Sequence, residues 1–199
     1  MTKLGWGILI AILAVVGAFL SMLSFSSSSP GGVRDRVRQR VVAALPTVSR
    51  SARELVVPVL GMPRGAIRDS WGDARGEGER AHQGTDIMAA GGTPVVAAAD
   101  GKVEKLFASR EGGTTLYVRS PDRRWSYYYA HMAGYAPGVR EGLTVRAGDP
   151  LGFVGDSGNA GAGNTHLHFG ISRMEPGERW WGGEPVNPYP MLARAEAAR

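Results

Sequence analysis

The chain has 199 residues, enough for one domain of ordinary size with accessory segments, and its 43% hydrophobic and 21% charged content is globular rather than disordered. It contains no cysteine, which excludes disulfides, a closed thiolate metal site and a lipid-bearing thiol. The formal charge of +5 suits an anionic partner, but there is no nucleic-acid motif and the arginines after position 64 are scattered, so no nucleic-acid partner is expected.

Leu4 to Phe25 is an uncharged, mostly apolar run of 22 residues. As a helix it spans about 33 Å, enough to cross a hydrocarbon core of roughly 30 Å. The run is long for a cleaved signal peptide, and Ser24-Phe25-Ser26 is a poor cleavage site. Residues 1–25 are therefore expected to be an uncleaved transmembrane signal anchor. Residues 26–54 follow as a Ser/Gly linker and a short amphipathic helix. Val33, Val37, Val41, Ala44 and Leu45 recur at helical spacing until Pro46 ends the pattern. Arg34, Arg36, Arg38 and Arg40 flank the apolar run on this side, which by charge alone would place them in the cytoplasm.

Residues 55–190 form the main domain, and 191–199 a polar tail. From Leu55 onward, short apolar runs alternate with Gly and Pro turn signals such as Gly91-Gly92, Asp100-Gly101 and Gly112-Gly113. Strands are predicted at 55–60, 85–88, 95–99, 102–109, 114–120, 126–131, 151–154 and 165–172. The fold class is all-β, an antiparallel sheet or small barrel-like sandwich. Ala99-Asp100-Gly101-Lys102-Val103 and Val145 to Gly152 have the turn pattern of biotinyl and lipoyl carriers, but Lys3, Lys102 and Lys105 all lack the context of an acceptor lysine.

The polar, Gly-rich stretch from Asp69 to Arg80 reads as a mobile surface loop, either a solvated connection or a wall of a substrate groove. Along the strand ending at His131, Tyr127 and Tyr129 share the face of that histidine and so line the same groove. Trp180 and Trp181 lie in a Gly-rich loop, where they cover the end of the core or serve as a platform for a sugar or peptide.

The four histidines carry the chemistry. His166 and His168 are two apart on a predicted strand, so they point the same way, roughly 6–7 Å apart, while Leu167 and Phe169 face the core. His82 and Asp86 are four apart, and in an extended segment positions 82, 84 and 86 share a face with Gly84 leaving room. His131 ends the Tyr128-Tyr129-Ala130-His131 run. Two His and one Asp leave a fourth tetrahedral position open for water, the arrangement of a catalytic zinc site.

In this order and at this separation, His82-x-x-x-Asp86, Tyr-Ala-His131-Met and His166-x-His168 resemble the lysostaphin-like (LytM-type) zinc metallopeptidases, family 23 of the metallopeptidases. The resemblance runs from about Val56 to Pro190. It implies a duplicated-hybrid-motif β fold, with one Zn²⁺ bound by His82, Asp86 and His168 and with His131 and His166 as catalytic residues beside it. It also implies an endopeptidase cutting stem or bridge peptides of peptidoglycan, with the domain facing the periplasm or cell wall and a cell-wall regulator as a possible further partner. Asn164-Thr165, Gly170 and Ala130 depart from the commonest family wording without removing a reacting group. The alternative within the resemblance is a non-enzymatic LytM-type module that activates a wall amidase.

Overall fold

The computed structural model describes residues 55–75 and 80–193. The expected membrane anchor, the linker and amphipathic helix, residues 76–79 of the polar stretch and the end of the tail lie outside the described residues. Among the described residues, no helix is long and apolar enough to cross a membrane.

In chain order the strands are β1 (Ala74–Arg75), β2 (Arg80–Ala81), β3 (Thr85–Met88), β4 (Pro94–Val96), β5 (Gly101–Ser109) and β6 (Gly113–Arg119). They continue with β7 (Trp125–Tyr135), β8 (Thr144–Val145), β9 (Pro150–Val154), β10 (His166–Arg173) and β11 (Glu184–Val186). A 3-10 turn at Arg64–Ala66 precedes them and a one-turn helix, α1 (Tyr189–Leu192), follows. All pairings between these strands are antiparallel, as expected. β1 and β2 form a small ribbon. The other nine strands share one sheet with the path β11-β10-β7-β6-β5-β8, to which β3 adds along β10 and β9 carries β4 onto the far end of β7.

Alternation along the strands builds the core. Leu116 and Val118 of β6, Leu167, Phe169 and Ile171 of β10, and Tyr127 and Tyr129 of β7 are all buried in one cluster with Val95, Val103 and Leu151. The first predicted strand, 55–60, is not one. It runs beside β4 with a single bridge, Val59 to Val95, and with hydrogen bonds from Val56 N to Ala98 O (2.8 Å) and from Val96 N to Pro58 O (2.9 Å). Pro58 has no N–H to donate, so a continuous ladder cannot form through it.

β7 breaks its own alternation, and this corrects the expected tyrosine placement. Leu116 pairs with Tyr129 and Thr114 with Met132, so the single residue Thr115 stands opposite both Ala130 and His131. This is a β-bulge, with His131 in the left-handed region at φ 60°. The extra residue shifts the parity of the strand. Tyr127 and Tyr129 therefore lie in the core, Met132 takes the next core position, and His131 turns out of it. Tyr128, on the opposite face, lines the cleft in their place.

The buried Tyr129 hydroxyl accepts the Ala98 N–H at 2.9 Å. Tyr129→Phe removes that acceptor and strands a buried donor, at a cost of about 1–3 kcal/mol. The expected result is a lower urea midpoint with an unchanged slope; an unchanged midpoint would show that the N–H finds another partner.

Candidate metal centre and active site

β10 lies between the two strands that complete the site. His168 is in register with Asp86 of β3 on one edge and with Ala130 of β7 on the other. His82 sits in the short connection between β2 and β3. Buried Ser70 holds both members of the His-x-x-x-Asp pair: its carbonyl accepts the His82 Nδ1–H at 2.6 Å, and its hydroxyl accepts the Asp86 backbone N–H at 3.0 Å.

Three donor atoms converge as a result. His82 Nε2 lies 2.8 Å from His168 Nδ1 and 3.0 Å from Asp86 Oδ1, and His168 Nδ1 lies 3.1 Å from the same oxygen. With its Nδ1–H given to Ser70, a neutral His82 turns a bare lone pair inward. A proton on His168 Nδ1 can serve only one of the two acceptors facing it, whereas a cation serves all three. A tetrahedral zinc with bonds near 2.0–2.1 Å holds its ligand atoms about 3.3 Å apart, a few tenths of an ångström wider than seen here. The donor set therefore fits the ion with a small outward movement. The other carboxylate oxygen, Asp86 Oδ2, is hydrogen-bonded and ion-paired to Arg75 of β1.

The two remaining histidines face the same cleft. His131 donates its Nδ1–H to the Ser157 carbonyl and His166 donates its own to the Asn164 carbonyl, each at 2.8 Å. Each is thus held in the tautomer that leaves Nε2 bare. Their ring centroids are 4.8 Å apart, and His166 Nε2 is 3.9 Å from Asp86 Oδ1. Ser157 also braces the bulge, since its hydroxyl donates to the Met132 carbonyl at 2.7 Å and accepts the Thr114 N–H at 3.0 Å. The cleft is open, about 1010 Å³, and its rim includes Arg68, Arg75 and Tyr128.

The electrostatics favour bare donors. Burial alone would raise the Asp86 carboxyl, but hydrogen bonds and charge interactions with His168 and His82 outweigh it and hold the group well below the usual carboxylate range. Burial lowers the pKa of His168 against the pull of Asp86. It also lowers that of His131 against the Ser157 hydrogen bond.

All five residues singled out in the sequence therefore meet in one cleft, the first three as a cluster able to hold a cation. What sequence reasoning missed is the set that orients them. Ser70, Ser157 and Asn164 act largely through main-chain carbonyls, which residue type does not reveal. Arg75 was lost in a polar, Gly-rich stretch.

Gly84 leaves room, as expected, but for the His168 ring. A β-carbon there would lie 2.5 Å from His168 Cε1 and 2.9 Å from the Phe169 carbonyl oxygen. Gly84→Ala should displace that imidazole and weaken zinc binding by about 10- to 100-fold. Gly170→Ala, whose β-carbon meets its neighbours at an ordinary 3.5 Å, should bind as the parent does. Competitive metal titration of both variants checks this.

Residues 80–188 match the model of peptidase family M23. The chain is 39% identical over 133 residues to the L-Ala–D-Glu endopeptidase of Bacillus subtilis, covering 64% of this chain and 39% of that protein. It is 33% identical over 172 residues to the murein hydrolase activator EnvC of Escherichia coli, covering 81% of this chain and 38% of that protein. The chain thus spans well under half the length of either relative. Among solved structures, the catalytic domain of lysostaphin from Staphylococcus simulans aligns over 64% of this chain and 92% of its own, with 26% identity and a TM-score of 0.53. With the family model matching more than half of its length, the chain belongs to peptidase family M23.

Proposed function

We propose that the chain is a zinc-dependent metalloendopeptidase that hydrolyses cross-link or stem peptides of bacterial peptidoglycan. The observation that carries the reading is the convergence of three donor atoms from His82, Asp86 and His168 beside two further imidazoles that present bare Nε2 atoms to one open cleft. Bound there, Zn²⁺ supplies Lewis acidity toward the scissile carbonyl and lowers the pKa of a water toward about 7.

The chain's own groups do the rest. His131 and His166 enter the reaction as proton acceptors, because their Nδ1–H groups are spent on carbonyls. The ring that takes the proton of the attacking water becomes an imidazolium. It can then donate at Nε2 to the developing oxyanion or to the leaving amine. The carbonyls of Ser157 and Asn164 keep both rings aimed throughout. The basic charge of the chain favours an anionic wall polymer in a non-specific, salt-dependent way. An anchor at residues 4–25 would keep the domain at the membrane, facing the periplasm or cell wall.

The similarity to EnvC favours a second reading, a non-enzymatic module that activates a wall amidase. Activation by contact does not require three converging donors and two oriented acceptors, so the hydrolase is preferred.

Muropeptides incubated with the protein should yield new peptide fragments by mass spectrometry, and a chelator should abolish them. Intact substrate under both conditions would favour the activator. His82→Ala and Asp86→Ala should lose zinc together with activity. His131→Ala should retain zinc while turnover falls about 10²- to 10⁴-fold; full activity in that variant would remove His131 from the mechanism. Because burial places the His131 pKa below its ordinary 6.5, the ring stays neutral as pH falls through that value. The acid limb it contributes to kcat/KM should therefore lie below pH 6.5 and disappear in His131→Ala.

A further inference from the structure

The sheet face that carries His168 continues beyond the cleft as a row of aromatic rings. Tyr128 stands edge-on to His168, with centroids 5.7 Å apart, and is in register with Tyr117 of β6, 4.6 Å away. Tyr117 meets Trp180 at 4.9 Å, and Phe107 of β5 meets the same indole at 5.2 Å. Trp181 is 5.2 Å from Trp180, nearly perpendicular to it. The row crosses β10, β7, β6 and β5, so at the usual strand spacing its far end lies about 14 Å from His168.

That far end is apolar, open and held in place. Phe107 is 41% and Trp181 58% exposed, and the core cluster includes neither indole. Arg119, buried and ion-paired to Glu104 at 2.7 Å, also donates to the Glu178 carbonyl at 3.4 Å, in the loop that carries both indoles. The Arg179 guanidinium lies 5.0 Å from the Trp181 ring centre. Large aromatics held in the open on the sheet face beyond a cleft are a feature of binding surfaces rather than of packing.

We propose that Phe107, Trp180 and Trp181 form a sugar-binding platform, stacking a pyranose ring of the glycan strand that bears the hydrolysed peptide. The proposal rests on the peptidoglycan peptidase reading above. A pyranose offers an apolar C–H face to such rings and a polar rim to a side chain such as Arg179. A peptide is the poorer match on this face, because the backbone groups of β6 and β7 under the row are committed to sheet ladders, and the outer edge of β5 beyond Lys102 lies to the side of the rings. The spacing agrees too. Four extended residues reach about 13–14 Å, so a sugar on the platform places the reacting carbonyl about four residues along the stem.

The test titrates the full chain, in the presence of chelator, with a β-1,4-linked tetramer of N-acetylglucosamine, followed by calorimetry and tryptophan emission. Saturable binding is expected, weakened about tenfold in Trp181→Ala and in Phe107→Ala and restored by Trp181→Tyr. Because sugar binding needs no zinc, the outcomes separate: a chain that binds the sugar but, loaded with zinc, cuts no muropeptide would uphold the platform and sink the hydrolase. With active enzyme, the kcat/KM ratio of sugar-bearing to sugar-free muropeptide should fall about tenfold in Trp181→Ala, through KM. A tetramer that fails to bind, binds parent and variants alike, or is displaced from Trp181 by sugar-free stem peptide would overturn the proposal, as would an unchanged ratio.

Discussion

The site depends on one strand being hydrogen-bonded along both edges. β10 pairs with β3 on one side and β7 on the other, and the register of these ladders places His168 level with Asp86 and Ala130. Residues more than eighty positions apart become neighbours because a ladder allows slippage only in whole steps, and each step turns every side chain to the other face. Leu167 and Phe169, fully buried on the core face, make such a slip costly. The packing of the core and the meeting of the donor atoms are therefore one constraint, and the hydrophobic term that folds the sheet also assembles the cleft.

Rigidity of the imidazoles comes from a different source. Two loops contribute three main-chain carbonyls, that of Ser70 before β1 and those of Ser157 and Asn164 between β9 and β10, each taking one ring N–H. Such bonds select the tautomer and ring orientation, and so decide which nitrogen is free to react. The bulge at His131 belongs to the same system, since its left-handed backbone is stabilised by a ladder of contacts from Ser157 on one side and by the bond from His131 N to the Gly112 carbonyl (2.8 Å) on the other. Local strain of this kind persists only where the surroundings over-determine it.

Much of this was legible in the residues, for identifiable reasons. The strands around Thr85, Lys102, Thr114 and His166 announce themselves because alternation and turn signals agree there. The five site residues stand out because few imidazoles occur and two of them share a strand face. The short strands β1, β2, β8 and β11 carry too little pattern to be read, whereas β4, equally short, is marked by its Val95-Val96 pair. Tyr127 and Tyr129 were assigned to the wrong side because period-two reasoning assumes an unbroken strand, and a single inserted residue reverses every position after it. Leu55 to Leu60 has strand composition, but Pro58 prevents the ladder that composition favours.

The Arg75–Asp86 pair has a bearing on which ion the cleft can accept. With one carboxylate oxygen committed to a guanidinium, Asp86 offers a single tooth, and the neighbouring imidazoles offer nitrogen. Calcium seeks six to eight oxygens, and magnesium an oxygen octahedron that keeps much of its water. A pocket so poor in oxygen would discriminate against both hard cations, however abundant, and would suit the borderline ones that tolerate low coordination and nitrogen donors. An arginine at the rim of the cleft would thus contribute to metal selectivity by denying the carboxylate its second bite.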